Sequence, residues 1–175
     1  RKAGAGAGAS STSAIIYGGS PHPVALTESW DGTSWTEVSD MNTASRTYNI
    51  AGVQTSSISA GRGEPNISNV ETWDGTSWSE VAEINTTRRQ HGAASASNSS
   101  AIIYGGYSTT RVANTESWNG SSWTEQNDLA TARSGAGAAG SMTAAVASGG
   151  SVPPVSTITE EFTAADFQIK TVTQS

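Results

Sequence analysis

Short apolar runs alternate along the chain with small and polar residues, and each run stops at glycine or at a turn-forming pair. The segment 14–17 has the sequence Ala-Ile-Ile-Tyr, is followed by two glycines, and occurs again as 101–104 before a second glycine pair. Runs this short, bounded by glycine, predict β-strands. Segments of Ala and Gly at 3–9 and 135–140 predict strands whose small side chains permit close packing around an axis. The pattern therefore predicts an all-β fold.

Three turn sequences lie between pairs of tryptophans and predict hairpins. They are Asp31-Gly32, Asp74-Gly75 and Asn119-Gly120, and such pairs tolerate the positive φ angles that tight turns require. We expect each hairpin to join the third strand of a repeat unit to the fourth. A four-residue loop would place the two tryptophans directly opposite each other, and a two-residue loop would make them diagonal neighbours.

The sequence around these turns is repeated four times. The first aromatic residue of each copy stands at position 30, 73, 118 or 162, which gives a period of 43 to 45 residues. A period of this length is typical of one four-stranded propeller blade. We therefore predict a single propeller domain over 1–175, with blades at about 1–42, 43–86, 87–130 and 131–175. Either these four blades close a ring, for which the small inner residues are suited, or the chain is part of a larger ring.

Aromatic residues and arginines at repeated positions are predicted to hold the blades together. The aromatic set is Trp30, Trp35, Trp73, Trp78, Trp118, Trp123, Phe162 and Phe167. We expect these rings to be buried between blades, and the alternative is that they stack on sugars. The arginine set is Arg1, Arg46, Arg89 and Arg133, and its expected partners are Glu28, Glu71, Glu116 and Glu160. The alternative is that the arginines surround one mouth of the propeller and bind an anionic group.

The order of these features resembles the kelch repeat: arginine, small-residue strand, apolar strand ending in Gly-Gly, Glu-x-Trp, turn and tryptophan. The second unit departs from it with Ala60-Gly61, and the fourth has phenylalanine for both tryptophans. The Trp-Asp-Gly-Thr-Ser-Trp-Thr-Glu-Val style and the Glu-Glu-Phe-Thr-Ala-Ala-Asp-Phe ending also resemble repeat arrays in virion proteins of marine tailed phages. That resemblance implies a tail, fibre or capsid-surface component.

Composition and charge exclude several classes of function. The net charge is −6 and no basic cluster occurs, which argues against a nucleic-acid partner. Without cysteine there are no disulfides or thiolate metal sites, and two histidines do not make a metal site by themselves. No apolar run is long enough for a membrane span. We therefore expect no metal, no cofactor and no enzymatic activity within this chain. Because the chain begins with Arg1, we also expect it to be a piece of something longer.

The connections that follow the Gly-Gly positions differ from blade to blade, and they supply the candidate ligand-binding residues. These are His22, Arg62, Glu64, Asn66, Tyr107 and Arg111. Variable loops on a repeated scaffold are a frequent place for recognition, although ordinary solvated loops would show the same pattern. The sequence predicts a non-enzymatic virion or extracellular module whose partners are other surface proteins or a host glycan, with a homo-oligomer left open. The alternative is the propeller of a secreted glycan-binding protein or enzyme whose catalytic part lies elsewhere.

Overall fold

The computed structural model describes residues 5–19, 22–46, 51–63, 66–152, 157–164 and 170–172. These residues form four antiparallel sheets of four strands each, arranged as a four-bladed β-propeller, and contain no helix. The predicted fold class is therefore confirmed. Phe167, Arg1 and Glu64 lie outside the described residues.

Each blade is a four-stranded meander in chain order. The first blade consists of β1 (Ala5–Ser10), β2 (Ser13–Tyr17), β3 (Thr27–Trp30) and β4 (Trp35–Val38). The second consists of β5 (Ala51–Val53), β6 (Ser56–Arg62), β7 (Ile67–Trp73) and β8 (Trp78–Val81). The third consists of β9 (Gly92–Ser97), β10 (Ser100–Tyr104), β11 (Thr115–Trp118) and β12 (Trp123–Gln126). The fourth consists of β13 (Gly137–Ser141), β14 (Ala144–Ser148), β15 (Thr159–Thr163) and β16 (Lys170–Val172).

The hairpin between the third and fourth strands has a four-residue loop. Trp30 is paired with Trp35 across the first blade, and the ring centroids are 5.4 Å apart. The Asp31 carboxylate accepts hydrogen bonds from the backbone of Thr33 and Ser34. An aspartate at the first position of such a turn pre-forms it, because its side chain binds the backbone amides two and three residues on. Of the two hairpin geometries predicted, the directly opposed one is confirmed.

The first strand of every blade faces the centre of the propeller. Segments of β1, β5, β9 and β13 line one channel with a volume of about 340 Å³. The lining residues are Ala, Gly and one serine, Ser95. Because these side chains end at or near Cβ, four strands can approach one axis without steric conflict. The central placement of the Ala/Gly segments is as the sequence predicts.

Hydrophobic clusters join consecutive blades. One joins the first and second blades through Tyr17 and Trp78, another the second and third through Ile58 and Trp123, and another the third and fourth. Among the described residues, no such cluster joins the fourth blade to the first. Hydrophobic packing between neighbouring blades is therefore seen at three junctions.

The burial predicted for the second tryptophan of each blade is correct in two blades and wrong in the first. Trp78 and Trp123 are 6% and 7% exposed, whereas Trp35 is 45% exposed. Each buried indole packs on the preceding blade: Trp78 contacts Tyr17 edge-on, and Trp123 donates a hydrogen bond to Ala82 O. Trp35 is on the first blade, so its burial would depend on the fourth, and no hydrophobic cluster of the described residues forms there.

Candidate functional site

The candidate site is built from the connections between the second and third strands of the blades. In the third blade the connection begins at Gly105-Gly106, where both residues have positive φ angles. The backbone amide of Gly106 donates to Arg133 O at 2.7 Å, and a Cβ at Gly105 would lie 2.6 Å from the same oxygen. Only glycine permits this approach. The glycine pair thus lets the connection leave the sheet in contact with Arg133, in the segment that leads into the fourth blade.

Asn66 links the connection of the second blade to that of the third. Its amide Nδ2 donates to Ser108 O at 2.8 Å, and its Oδ1 is buried without a hydrogen-bond partner among the described residues. Ser108 directly follows Tyr107, so two of the predicted ligand-binding residues belong to neighbouring loops in contact. The cross-loop bond restrains both loops.

Tyr107 and Arg111 are brought together within the connection of the third blade. Their backbones form an antiparallel bridge, and Arg111 Nη2 donates to Ser151 Oγ at 2.9 Å in the connection of the fourth blade. The guanidinium of Arg89 lies 5.2 Å from the centre of the Tyr107 ring, which is within the range of a cation–π contact. Described residues of the connections of blades two, three and four are therefore linked to one another. We call them the loop surface, which consists of Asn66, Tyr107, Ser108, Arg111 and Ser151.

The remaining predicted ligand-binding residues have different placements. His22 is exposed in the connection of the first blade. Arg62 ends β6 and is paired with Ile67, so the second-blade hairpin continues one strand position past Gly61. The Arg62 side chain and Glu64 lie outside the described part of the structure. The structure brings together Asn66, Tyr107 and Arg111.

The repeated arginine of the third blade is Arg88, and its prediction as Arg89 is wrong by one residue. Arg88 Nη1 lies 2.7 Å from Glu116 Oε1, and both side chains are fully buried. Isolated bridges pair Arg89 with Tyr107 and Ser134 with Ser151, so Arg88 is the equivalent of Arg133. Two adjacent arginines in a strand-like segment point in opposite directions, and only the first points inward.

Arg133 forms the second buried ion pair, with Glu160, as predicted. Its Nη1 also donates to Ile158 O at 3.0 Å and Gly149 O at 3.2 Å. Burial lowers the pKa of the Arg88 guanidinium and the Glu116 carboxylate opposes that shift, so the group stays charged. Arg46 is bridged to Gly63 as Arg89 is to Tyr107, so Arg46 is the equivalent of Arg89 and not of Arg88. Its pairing with Glu71, like that of Arg1 with Glu28, stays a prediction. Each of the two described ion pairs lies within one blade and joins the segment before the first strand to the third strand.

The repeated glutamates fasten the segments that lead into their own blades. Glu71 accepts from the backbone amides of Asn42 and Thr43 at 2.8 and 3.0 Å. Glu116 accepts from Asn85 and Thr86, and Glu160 accepts from Ala130. Hydrogen bonds to a buried carboxylate are among the stronger ones in proteins. These glutamates are therefore occupied in the scaffold.

His91 is buried between the second and third blades. Its Nε2 lies 2.7 Å from Ala60 O and its Nδ1 lies 3.2 Å from Gly92 O. Burial, and then the nearby Arg88 charge, lower the pKa of His91 below its usual 6.5. The neutral ring donates one N–H to a carbonyl across the junction, so the role of His91 in the described structure is to join blades.

Among the described residues, no three His, Asp or Glu side chains are grouped in a way that could hold a metal ion. Within the same residues there is no helix long and apolar enough to cross a membrane.

No protein-family profile matches the chain, and no curated protein is significantly similar to it. The propeller fold is compatible with a binding or protein-interaction module, and the argument for function therefore rests on the loop surface and the repeats.

Proposed function

We propose that this chain is a non-enzymatic recognition module of the kelch type, carried on a virion or a cell surface, that binds its target through the loop surface. The observation that carries the proposal is the contrast between a repeated scaffold and non-repeated connections that contact one another. Asn66 bonds to Ser108, and Arg111 bonds to Ser151. Loops restrained in this way lose less conformational entropy on binding.

The residues that repeat from blade to blade support the kelch part of this proposal. Glycine pairs follow the second strands of the first, third and fourth blades, and buried glutamates occupy the third strands of the second, third and fourth blades. Tryptophans flank the outer hairpin of the first, second and third blades. The virion assignment rests on the resemblance of the Trp-Asp-Gly-Thr-Ser-Trp units to phage repeat arrays.

The chemistry of the loop surface favours a polar target. Tyr107 offers a ring and a hydroxyl, Arg111 a guanidinium, and Asn66 an amide. Tyrosine and arginine are enriched where proteins bind partners, because each combines a large contact area with hydrogen bonding. A surface saccharide or a polar protein loop fits this set.

The test is binding of the labelled chain to a glycan array and to immobilised host-envelope proteins. We expect wild type to bind at least one target, and Tyr107→Ala and Arg111→Ala each to weaken it by about tenfold or more. The matched control is Thr124→Ala, an exposed residue on the outer strand of the same blade. Equal binding by all four proteins, or no binding by wild type, would contradict the proposal.

A second candidate is a glycan-binding propeller that stacks sugars on the first blade, with any catalytic part outside this chain. The observation that favours it is the half-exposed Trp35, whose ring is tilted by 42° against Trp30. Exposed aromatic faces can stack on saccharides. Loss of array binding in Trp35→Ala, with binding retained in Tyr107→Ala and Arg111→Ala, would favour this candidate over the loop surface.

A further inference from the structure

The two adjacent arginines that lead into the third blade have different surroundings. Arg88 is fully buried against Glu116, whereas Arg89 is half-buried and its guanidinium lies 5.2 Å from the centre of the Tyr107 ring. Successive side chains of an extended segment point to opposite sides. Arg88 therefore belongs to the scaffold, and Arg89 lies on the other side of its segment, beside the connection of the third blade.

Arg89, Tyr107 and Arg111 lie side by side, and we call these three residues the cationic row. The backbone of Tyr107 is bridged to Arg89 and also to Arg111, and both bridges are antiparallel. Residues directly opposite each other in antiparallel pairs point to the same face, so the row covers a width of about 10 Å on one face. The row is not part of the repeated scaffold, because the equivalents of Tyr107 are Gly63 in the second blade and Ser151 in the fourth.

Within the row, the guanidinium of Arg111 is held by a hydrogen bond. Its Nη2 donates to Ser151 Oγ at 2.9 Å, and its Nε is buried without a hydrogen-bond partner among the described residues. A guanidinium has five N–H donors in a planar fork, and two parallel donors of this fork match the two oxygens of a carboxylate. Arg111 therefore keeps an N–H donor for which no described group is the acceptor.

Positive charge collects at the end of the propeller where the row lies. In a meander, the connections between second and third strands share one end with the segments between blades, and the tight hairpins are at the other end. Arg46 and the two arginines of the row are at the first end, and the hairpin aspartates are at the second. Three carboxylates at the first end accept hydrogen bonds from the third strands of their own blades, namely those of Asp40, Glu83 and Asp128.

We propose that the cationic row binds the carboxylate of an acidic saccharide, a uronic or sialic acid. Arg111 binds the carboxylate through two N–H donors, Arg89 adds positive charge, and Tyr107 offers its hydroxyl to the sugar. A saccharide fits better than a protein, because the row has the width of one or two sugar rings and a protein interface takes about 20–30 residues a side. This inference rests on the proposed function and specifies its ligand class.

The experiment measures binding of the whole chain to carboxylated glycans and to the same glycans after methyl esterification. The carboxylated probes are oligogalacturonate and sialyllactose, and sulfated glycans, neutral glycans and host-envelope proteins are immobilised beside them. We expect wild type to bind at least one carboxylated probe, and esterification, which removes the charge and keeps the sugar, to weaken binding at least tenfold. Because salt screens exposed charges, the affinity should also fall as the ionic strength rises.

Substitutions of Arg111 separate the shape of its side chain from its charge. Arg111→Gln should weaken binding to the carboxylated probe at least tenfold and reduce its dependence on salt. Arg111→Lys should keep the salt dependence and only part of the affinity, because lysine has the charge without the planar fork. The matched control is Lys170→Gln, which removes one positive charge from the outermost strand of the fourth blade and should bind as wild type does. All three variants should keep the wild-type circular dichroism spectrum.

The outcomes separate this inference from the proposed function. Binding only to neutral glycans, sulfated glycans or envelope proteins would overturn the inference and leave the proposed function standing. Carboxylate binding that survives Arg111→Gln would also overturn it, as would an equal loss in Lys170→Gln, which would trace the effect to overall charge. Absence of binding to every probe would contradict both.

Discussion

The indole of Trp78 donates a hydrogen bond from Nε1 to Oγ1 of Thr27 in the preceding blade, at 3.0 Å. The same indole packs edge-on against Tyr17, with ring centroids 4.5 Å apart. Tyr17 in turn donates from its hydroxyl to Ile58 O at 3.1 Å, so the junction is bonded in both directions. These two hydrogen bonds fix how the two blades are aligned, because a shift of one blade against the other would leave buried donors without acceptors.

The two tryptophans with different burial should differ in what they contribute to stability. Trp78→Ala removes a ring buried between blades and should lower the free energy of unfolding by about 3–5 kcal/mol. Trp35→Ala removes a ring that is nearly half exposed and should cost less than half as much. Urea unfolding of the two variants at low protein concentration measures the difference, and equal losses would contradict the description of the junction.

The buried ion pair of the third blade should be more costly to break than to replace. Glu116→Gln leaves the Arg88 charge buried without its carboxylate and should cost about 3–5 kcal/mol. The double variant Arg88→Met with Glu116→Gln should recover part of that loss. Arg89→Ala is the matched control, since Arg89 lies against Tyr107, and it should cost about 1 kcal/mol. A larger loss for Arg89 than for Glu116 in denaturant unfolding would show that the wrong arginine has been assigned.

The hairpin aspartates should titrate far below their usual range. The Thr76 hydroxyl, followed by the backbone amides of Ser77 and Thr76, lowers the pKa of Asp74 to about 2. Asp74→Asn should keep the turn, because Asn119 holds the same bonds to backbone amides in the third blade. Asp74→Ala should lose them and lower the melting temperature more. Carbon-detected NMR titration measures the Asp74 pKa, and a value near 4 would contradict the bonded turn.

His91 should make stability depend on pH below about 6.5. Its pKa is lowered in the folded chain, so the unfolded chain takes up a proton that the folded chain does not. The free energy of unfolding is therefore complete above pH 6.5 and falls as the pH is lowered from there. The comparison is between His22→Gln and the double variant with His91→Gln, so that His91 is the only histidine removed. Identical slopes between pH 6.5 and 5 in urea unfolding would contradict this prediction.

The sequence was sufficient for the propeller because the determinants of a blade are local. Glycine pairs, an Asp-Gly turn and small inner residues each act within a few positions, and their period is visible without coordinates. The sequence does not show which of Arg88 and Arg89 points inward to the glutamate. The bridge between Arg89 and Tyr107 decides this, because it aligns Arg89 with Ser134 and Arg88 with Arg133. That pairing is between residues on separate segments and leaves no local pattern.

The exposure of Trp35 was also beyond sequence reasoning. Its local sequence, from Trp30 to Val38, differs from that of Trp78 only by Thr36 in place of Ser79, so the difference in exposure lies in what packs against the ring. Similarly, the variable loops could be predicted to differ, but the bonds from Asn66 to Ser108 and from Arg111 to Ser151 join positions about 40 residues apart. Only the fold brings such residues together.

The repeated residues hold the propeller together, the tryptophans between blades and the buried glutamates within them, which leaves the loop surface for recognition. The most direct test is the solvent accessibility of the equivalent indoles Trp35, Trp78 and Trp123, measured by NMR with a soluble paramagnetic agent at low protein concentration. The account predicts strong broadening of the Trp35 indole signal and protection of the Trp78 and Trp123 signals. Equal broadening of all three would show that these tryptophans do not anchor the blades, and would contradict the account.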